Sequence, residues 1–256
     1  MDHQGVRTFF LSSGTVRASF DGAHCLGGGT DASVYLAEFK NEKVALKVYK
    51  KPTLVVSPST ASGHQNPVRS RREDESSTYE SLKQKNVMCP FLLSPIEIFE
   101  IPEHDGNHMA VVTEYCESNL YSLLVGAEWI HFTPQHKRQI VIELLLAVKQ
   151  LHEVGIMHRD LKPDNIMFKR HRGTGCLQVK LGDFGYSRQA DDAREWTSGV
   201  GTATHMAPEC LFNFAYGPVP YDFKADVFSL GIIVYACICR CECADMYARM
   251  CGSFGF

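Results

Sequence analysis

The chain has 256 residues, 45% hydrophobic and 21% charged, a composition that suits one large globular domain or a two-lobed one. Its formal net charge of -3 gives no indication of nucleic-acid binding, and no run approaches the roughly 20 apolar residues that span a membrane. Because the N-terminus also lacks the charged-then-apolar pattern of a secretion signal, we expect an intracellular protein of the cytoplasm or nucleus. We expect no nucleic-acid or membrane partner, and the residues indicate no particular oligomeric state.

The first part of the chain is dominated by strand-like patterns. Residues 1–22 are punctuated by glycine and serine around an apolar run at 9–11, which predicts an N-terminal extension with one strand. Runs rich in β-formers at 34–37 and 44–48 flank a polar turn and predict a hairpin. Residues 51–72 contain three prolines among serine, threonine and glycine, and we expect a flexible insertion there.

Helical patterns dominate the later part of the chain. A helix is predicted over residues 71–85, followed by strands at 96–99 and 109–114 around a turn-rich segment. A long amphipathic helix is predicted from 134 to about 154, because apolar residues recur at helical spacing and Gly155 suits its left-handed end. A strand-rich first part and a helix-rich second part predict an α+β fold of two lobes.

A glycine-rich segment lies between two predicted strands and just before the run at 34–37. Glycines such as Gly27, Gly28 and Gly29 let a backbone approach a phosphate closely and present N–H groups to it. A flexible hairpin turn explains the same residues equally well. Lys47 follows in a β-rich run, where an alternating lysine is also typical of the polar face of a half-buried strand.

The strongest pattern is the segment at residues 158–165, which reads HRDLKPDN and is called the catalytic loop below. It presents a carboxylate (Asp160), an ammonium (Lys162) and a carboxamide (Asn165) at fixed offsets. A second carboxylate follows at Asp183, in the sequence Asp-Phe-Gly. These groups are suited to holding a divalent metal on a triphosphate while a hydroxyl group attacks it.

Together with the glycine-rich segment and Lys47, the catalytic loop resembles that of the eukaryotic protein kinase family. Lys162, two residues after Asp160, resembles the Ser/Thr branch of that family. The resemblance implies a β-rich small lobe at residues 23–116 and a mostly helical, incomplete large lobe at 117–235. It also implies that the γ-phosphoryl group of ATP is transferred, with Mg2+, to a Ser or Thr hydroxyl group of a protein substrate.

The resemblance implies a role for each residue of the site. Asp160 would accept or orient the proton of the substrate hydroxyl group, and Lys162 would neutralise charge on the transferred phosphoryl group. Asn165 and Asp183 would bind Mg2+, and Lys47 would pair with the α- and β-phosphates. The other implied ATP-binding residues are Leu26, Gly27, Gly29, Val34, Ala45, Glu114, Cys116, Asn119 and Met167.

The resemblance also requires a carboxylate on the following helix that pairs with Lys47. Glu75 is favoured, because Tyr79 and Leu82 continue its side of the helix with apolar residues. Glu80 is the alternative, because it lies nearer the family's usual spacing.

Four further positions have structural roles in the resemblance. Phe184 and His158 would stack with Tyr79. Asp226 would hold the backbone of the catalytic loop. His205 stands where the family usually has an aromatic residue, and we interpret it as a packing residue rather than a base or a metal ligand.

Arg159, beside Asp160, implies control by phosphorylation, because an arginine there can pair with a phosphate and order the following segment. Thr197 and Ser198 are the candidate acceptors. The alternative, that both are unmodified loop residues, stays open.

The resemblance ends at Tyr235, and residues 236–256 read as a divergent, cysteine-rich tail. Its Cys-x-Cys steps lack the usual zinc spacing and a histidine, and the other cysteines are interpreted as free thiols. An incomplete large lobe would leave apolar helix surface uncovered, so we expect marginal stability or dependence on a partner. The alternative to an active enzyme is therefore a non-catalytic kinase-fold protein that binds nucleotide or protein partners.

Overall fold

The computed structural model describes residues 6–29, 31–50, 71–104, 106–171, 173–190, 203–211 and 222–239. The chain divides into two compact units. Unit one comprises Met1–Glu73 and Ser94–Tyr115, and unit two comprises Asp74–Leu93 and Cys116–Phe256. Unit one is rich in strands and unit two carries most of the helical residues, so the predicted two-lobed α+β fold is confirmed.

Unit one contains an antiparallel sheet with the strand order β1-β2-β4-β5-β7-β6, and β3 pairs with β4 outside this path. Its strands are β1 (Val6–Leu11), β2 (Gly14–Ser19), β3 (Cys25–Gly28), β4 (Ala32–Phe39), β5 (Glu42–Tyr49), β6 (Pro95–Glu103) and β7 (Gly106–Glu114).

The predicted hairpin at 34–48 is confirmed as β4 and β5. Lys40 and Asn41 form its two-residue connection, with φ angles of 51° and 62°. Positive φ at both central positions gives a turn whose twist matches that of the flanking strands. The hairpin therefore fixes which residues of β4 and β5 lie opposite each other.

Alternating side chains of β5 lie on opposite faces of the sheet. Val44 and Leu46 are buried in the core of unit one, against Val16, Ile101 and Val112. Because side chains alternate along a strand, Ala45, Lys47 and Tyr49 lie on the other face.

The N-terminal residues differ from the expected extension, since they supply two strands of this sheet rather than one. β1 and β6 stand at opposite ends of the strand order, yet their side chains meet. Phe9 and Phe99 have ring centroids 5.3 Å apart, Arg7 forms an ion pair with Glu103, and Ser13 donates to Glu97. The sheet of unit one thus closes on itself through contacts between residues far apart in sequence.

Unit two is organised around the helices α1 (Arg71–Gln84, whose first three residues belong to unit one), α2 (Leu120–Val125), α3 (Pro134–Glu153) and α4 (Lys224–Cys239). The predicted helices at 71–85 and 134–154 are confirmed as α1 and α3. Thr133 caps α3 by accepting the His136 N–H at 3.2 Å, and Gly155, with φ of 79°, follows its last turn. α4 continues through Tyr235 to Cys239, so the expected boundary of the tail lies inside a helix.

Short strands frame the catalytic loop, and these were not predicted. β8 (Ser118–Asn119), β10 (Ile166–Arg170) and β11 (Leu177–Leu181) form a three-stranded sheet, and β9 (Ile156–Met157) pairs with β12 (Arg188–Gln189). The catalytic loop runs between β9 and β10, and Asp183 follows β11. The buried Glu143 on α3 accepts the Val179 N–H at 2.8 Å and so ties β11 to that helix.

Several expectations fall on residues outside the described ranges. These include the insertion up to residue 70, the acceptors Thr197 and Ser198, and the tail beyond Cys239. Among the described residues, no helix is long and apolar enough to cross a membrane.

Candidate functional site

The backbone of the catalytic loop is held by a buried carboxylate on α4. Asp226 is 2% exposed and accepts the backbone N–H groups of His158 and Arg159, each at 2.8 Å. His152 Nε2 lies 2.8 Å from the same carboxylate. Burial raises the pKa of Asp226, but these hydrogen bonds outweigh it and hold the pKa below its usual value. The predicted role of Asp226 in the loop is confirmed.

The three polar side chains of the catalytic loop converge. Lys162 Nζ lies 2.8 Å from Asp160 Oδ2, and Asn165 Nδ2 donates to the same oxygen at 3.1 Å. Asn165 Nδ2 also donates to the Asp160 carbonyl at 2.8 Å. Asp160 is 3% exposed and Asn165 is 6% exposed, so both are fixed by packing as well as by these contacts.

The Asp-Phe-Gly segment begins with a strained backbone position. Asp183 has φ of 61°, in the left-handed region that most side chains avoid. The fully buried Phe184 follows, and its ring centroid lies 5.5 Å from those of both Tyr79 and His158. His158 Nε2 lies 3.0 Å from the Gly182 carbonyl oxygen. The predicted contact between Phe184 and Tyr79 is confirmed, although the two rings meet edge to face rather than stacked, and His158 contacts Phe184.

Met167, the residue expected beneath the adenine, approaches the backbone before Asp183. A Cβ added to Gly182 would lie 2.6 Å from Met167 Cε and 3.0 Å from Leu93 Cδ2. A larger residue at position 182 would therefore require Met167 or Leu93 to shift. Asn119 lies opposite Met167 in the pairing of β8 with β10, and its Oδ1 caps α2 by accepting the Ser122 N–H at 2.8 Å.

The two candidate partners of Lys47 differ sharply in burial. Glu75 is 1% exposed and accepts the Tyr79 hydroxyl at 3.1 Å, whereas Glu80 is exposed. A carboxylate that is buried needs specific partners, while an exposed one is solvated by water. The burial of Glu75 therefore favours it over Glu80.

In unit one, the predicted nucleotide-contacting side chains share one face of the sheet. Val34 on β4 lies directly opposite Lys47 on β5, and Ala45 on β5 lies opposite Thr113 on β7. Directly opposed residues project from the same side of a sheet. This side, away from the unit-one core and called the site face below, brings small apolar side chains next to an ammonium group.

Tyr49 also lies on the site face, although its sequence context indicated no role. The Lys47 ammonium nitrogen lies 4.9 Å from the centroid of its ring. Tyr49 is 2% exposed. The sequence could have indicated a role through its spacing alone, because a residue two positions after Lys47 lies on the same face of a strand.

The glycine-rich segment leaves space beside its backbone. Apart from the adjacent residues in sequence, no atom of the described residues lies within 4 Å of the position that a Cβ would occupy at Gly27 or Gly29. Gly29 accepts a hydrogen bond from Lys50 Nζ at 2.6 Å through its carbonyl oxygen, and Leu26 is 45% exposed. Packing among the described residues therefore does not require glycine at these two positions. Glycine there would instead let another molecule approach the backbone closely.

The model of the protein kinase domain matches residues 20–246 of the chain. This chain belongs to the protein kinase domain family. The matched range extends past Tyr235, where the resemblance was expected to end.

Curated relatives of this kinase domain are similar over part of their length. Serine/threonine-protein kinase tousled-like 2 of Xenopus tropicalis is 33% identical over 153 residues, which cover 56% of this chain and 21% of that protein. The carbon catabolite-derepressing protein kinase of Saccharomyces cerevisiae is 29% identical over 231 residues, which cover 86% of this chain and 32% of that protein. MAP kinase-activated protein kinase 2 of Cricetulus longicaudatus is 28% identical over 172 residues, which cover 67% of this chain and 48% of that protein. The chain thus spans about a fifth to a half of the length of these relatives.

The donor set of this kinase domain fits magnesium shared with a nucleotide. Among the described residues, no group of three or more His, Cys, Asp or Glu side chains is placed to hold a metal ion. Mg2+ is commonly held by one or two protein carboxylates while phosphate and water oxygens complete its six ligands. Asn165 uses its Nδ2 within the loop, so its amide oxygen is the side-chain atom left to ligate a metal, and Asp183 offers a carboxylate for the same purpose.

His205 of the kinase domain is a buried, neutral imidazole. It is 7% exposed, and burial lowers its pKa to about 4, although the carboxylates of Asp164 and Asp160 oppose that shift. Its carbonyl oxygen accepts the Ser229 hydroxyl at 2.6 Å. These contacts agree with the predicted packing role.

Proposed function

We propose that this kinase domain transfers the γ-phosphoryl group of ATP, with Mg2+, to Ser or Thr hydroxyl groups of a protein. The observation that carries the proposal is the convergence of Lys162 and Asn165 on one carboxylate oxygen of the buried Asp160. A carboxylate held by two neighbouring side chains keeps one orientation. A fixed orientation is what the in-line attack of a hydroxyl group requires.

Asp160 orients the substrate hydroxyl group and takes its proton as the oxygen attacks the γ-phosphorus, while the bond from that phosphorus to the β,γ-bridging oxygen breaks and ADP leaves. Lys162, which lies beside Asp160, supplies positive charge where the transferred group carries negative charge. Asn165 and Asp183 hold the metal. When bound, Mg·ATP supplies the electrophilic phosphorus and a cation that shields the phosphate oxygens.

The site face provides the nucleotide contacts in this proposal. Val34 and Ala45 offer an apolar surface to the adenine base, and Glu114 and Cys116 offer backbone groups to its edge. Lys47 provides charge for the α- and β-phosphates, and the buried Glu75 is its carboxylate partner. Gly27 and Gly29, with open space beside their backbones, allow the phosphates to approach.

Ser/Thr specificity rests on Lys162, which stands two residues after Asp160. It is also supported by the relatives, because one is named a serine/threonine-protein kinase.

The proposal is tested by transfer of phosphate from labelled ATP with Mg2+ to a generic basic protein, followed by analysis of the labelled amino acid. We expect label on Ser or Thr. Lys47→Met should abolish transfer, whereas Lys43→Met, at an exposed position of the same strand, should leave it unchanged. Label on Tyr would contradict the specificity. A rise in melting temperature with Mg·ATP but no transfer by folded protein would identify a nucleotide-binding protein without catalytic activity instead.

A further inference from the structure

Lys47 is held by an aromatic ring on its own strand. Lys47 and Tyr49 lie two residues apart on β5, so both project from the site face. The Lys47 ammonium nitrogen lies 4.9 Å from the Tyr49 ring centroid, within the roughly 6 Å over which a ring face attracts a cation.

The hydroxyl group of Tyr49 does not explain why this residue is buried. Among the described residues, the Tyr49 hydroxyl oxygen is buried and has no hydrogen-bond partner. An unsatisfied buried hydroxyl group is unfavourable, so a phenyl ring would occupy the position at lower cost. The part of Tyr49 that makes a specific contact is therefore its ring.

The position of the ring also sets it apart from the apolar core. Val44 and Leu46 pack in the core of unit one, whereas Tyr49 is buried on the opposite side of the strand, beside the half-buried Lys47. A lysine side chain has many rotamers, and binding is weakened when they must be restricted as the ligand arrives. A ring that attracts the ammonium restricts them beforehand and, unlike a carboxylate, does not neutralise its charge.

We propose that Tyr49 is a positioning residue, whose ring orients the Lys47 ammonium toward the phosphates of the nucleotide. The inference rests on the proposed role of Lys47 in binding ATP. It does not require that Lys47 lack other partners.

The test measures the dissociation constants of Mg·ATP and of adenosine for the full chain by calorimetry. Tyr49→Phe keeps the ring and should bind ATP within about twofold of the unmodified protein. Tyr49→Leu removes the ring and should weaken ATP binding about three- to tenfold. Adenosine has no phosphates, so its binding should be unchanged in both variants. If Tyr49→Leu does not fold, Tyr49→Met is the non-aromatic replacement.

A double-mutant cycle separates positioning from a general packing effect. In the Lys47→Met background, Tyr49→Leu should change the dissociation constant of Mg·ATP by less than about twofold. The inference is overturned if Tyr49→Phe weakens binding as much as Tyr49→Leu, or if the loss persists without Lys47. If Lys47→Met weakens ATP binding and Tyr49→Leu does not, only the inference fails. If Lys47→Met leaves ATP binding unchanged, both the inference and the proposed role of Lys47 fail.

Discussion

The backbone N–H of Arg159 donates to the buried carboxylate of Asp226 at 2.8 Å, across 67 residues of sequence. Arg159 has φ of 68°, in the left-handed region that costs a residue with a side chain about 1–2 kcal/mol. It immediately precedes Asp160, so its conformation sets where that carboxylate lies. The position of the proposed proton acceptor thus depends on a residue of α4.

Asp226→Asn should destabilise the protein and reduce phosphate transfer. The amide keeps one acceptor oxygen, but its NH2 group is directed at backbone N–H or imidazole donors. We expect a loss of about 2–4 kcal/mol in the free energy of unfolding, measured with urea. Asp222→Asn, at an exposed carboxylate just before α4, is the matched control and should cost much less. Equal stability of the two variants would contradict this role of Asp226.

His205 should make stability depend on pH between about 6.5 and 4. Burial lowers its folded pKa to about 4 from 6.5, so in this range the unfolded chain binds a proton that the folded chain does not. Stability from this residue is therefore complete above pH 6.5 and decreases as the pH falls, by about 3 kcal/mol in all.

His205→Phe removes this titration and should flatten the pH dependence of the free energy of unfolding, followed by urea denaturation from pH 7.5 to 4.5. His131→Phe, at an exposed histidine, should keep the slope of the unmodified protein. An unchanged slope in His205→Phe would show that burial of this imidazole does not govern acid stability.

Glu75→Gln should lower the rate of phosphate transfer about 10- to 100-fold, because a charged hydrogen-bond partner contributes about 1.5–3 kcal/mol. Glu80→Gln, on the same helix but exposed, should transfer phosphate at the unmodified rate. The initial rates of the two variants under saturating ATP decide which of the two glutamates is the partner of Lys47. The opposite ranking would identify Glu80 as the partner of Lys47.

Substitutions at two adjacent phenylalanines of β1 test how much the N-terminal strands contribute to stability. Phe9 packs against Phe99 and Phe20, whereas Phe10 is 85% exposed. We expect Phe9→Ala to lower the free energy of unfolding by about 1–2 kcal/mol, and Phe10→Ala to change it by less than about 0.5 kcal/mol. Chemical denaturation measures both, and equal effects would show that closure of the sheet adds no stability.

The elements that could be predicted from the sequence are those with strong local patterns. The β4–β5 hairpin has a polar two-residue turn between alternating residues, and α3 has regular apolar spacing that ends at Gly155. The contact between the rings of Tyr79 and Phe184 followed from recognising the Asp-Phe-Gly segment.

Other features depend on contacts between distant residues, which no local pattern indicates. β1 is stabilised by Phe99 and Glu103, which are distant in sequence. Without those contacts, residues 6–11 look like an ordinary apolar run. β9 and β12 have only two residues each and exist because they pair with one another. Asn119 was assigned to the nucleotide, and the structure adds that its side-chain oxygen caps α2.

The central claim is that Asp160 takes the proton of the substrate hydroxyl group. It is tested most directly by the single-turnover rate of phosphate transfer from labelled ATP in Asp160→Asn, compared with the unmodified chain at saturating Mg·ATP. We predict a decrease of about two to four orders of magnitude, with the dissociation constant of Mg·ATP changed by no more than a few fold. Transfer by Asp160→Asn at the unmodified rate would contradict the account, as would the absence of transfer by folded, unmodified protein.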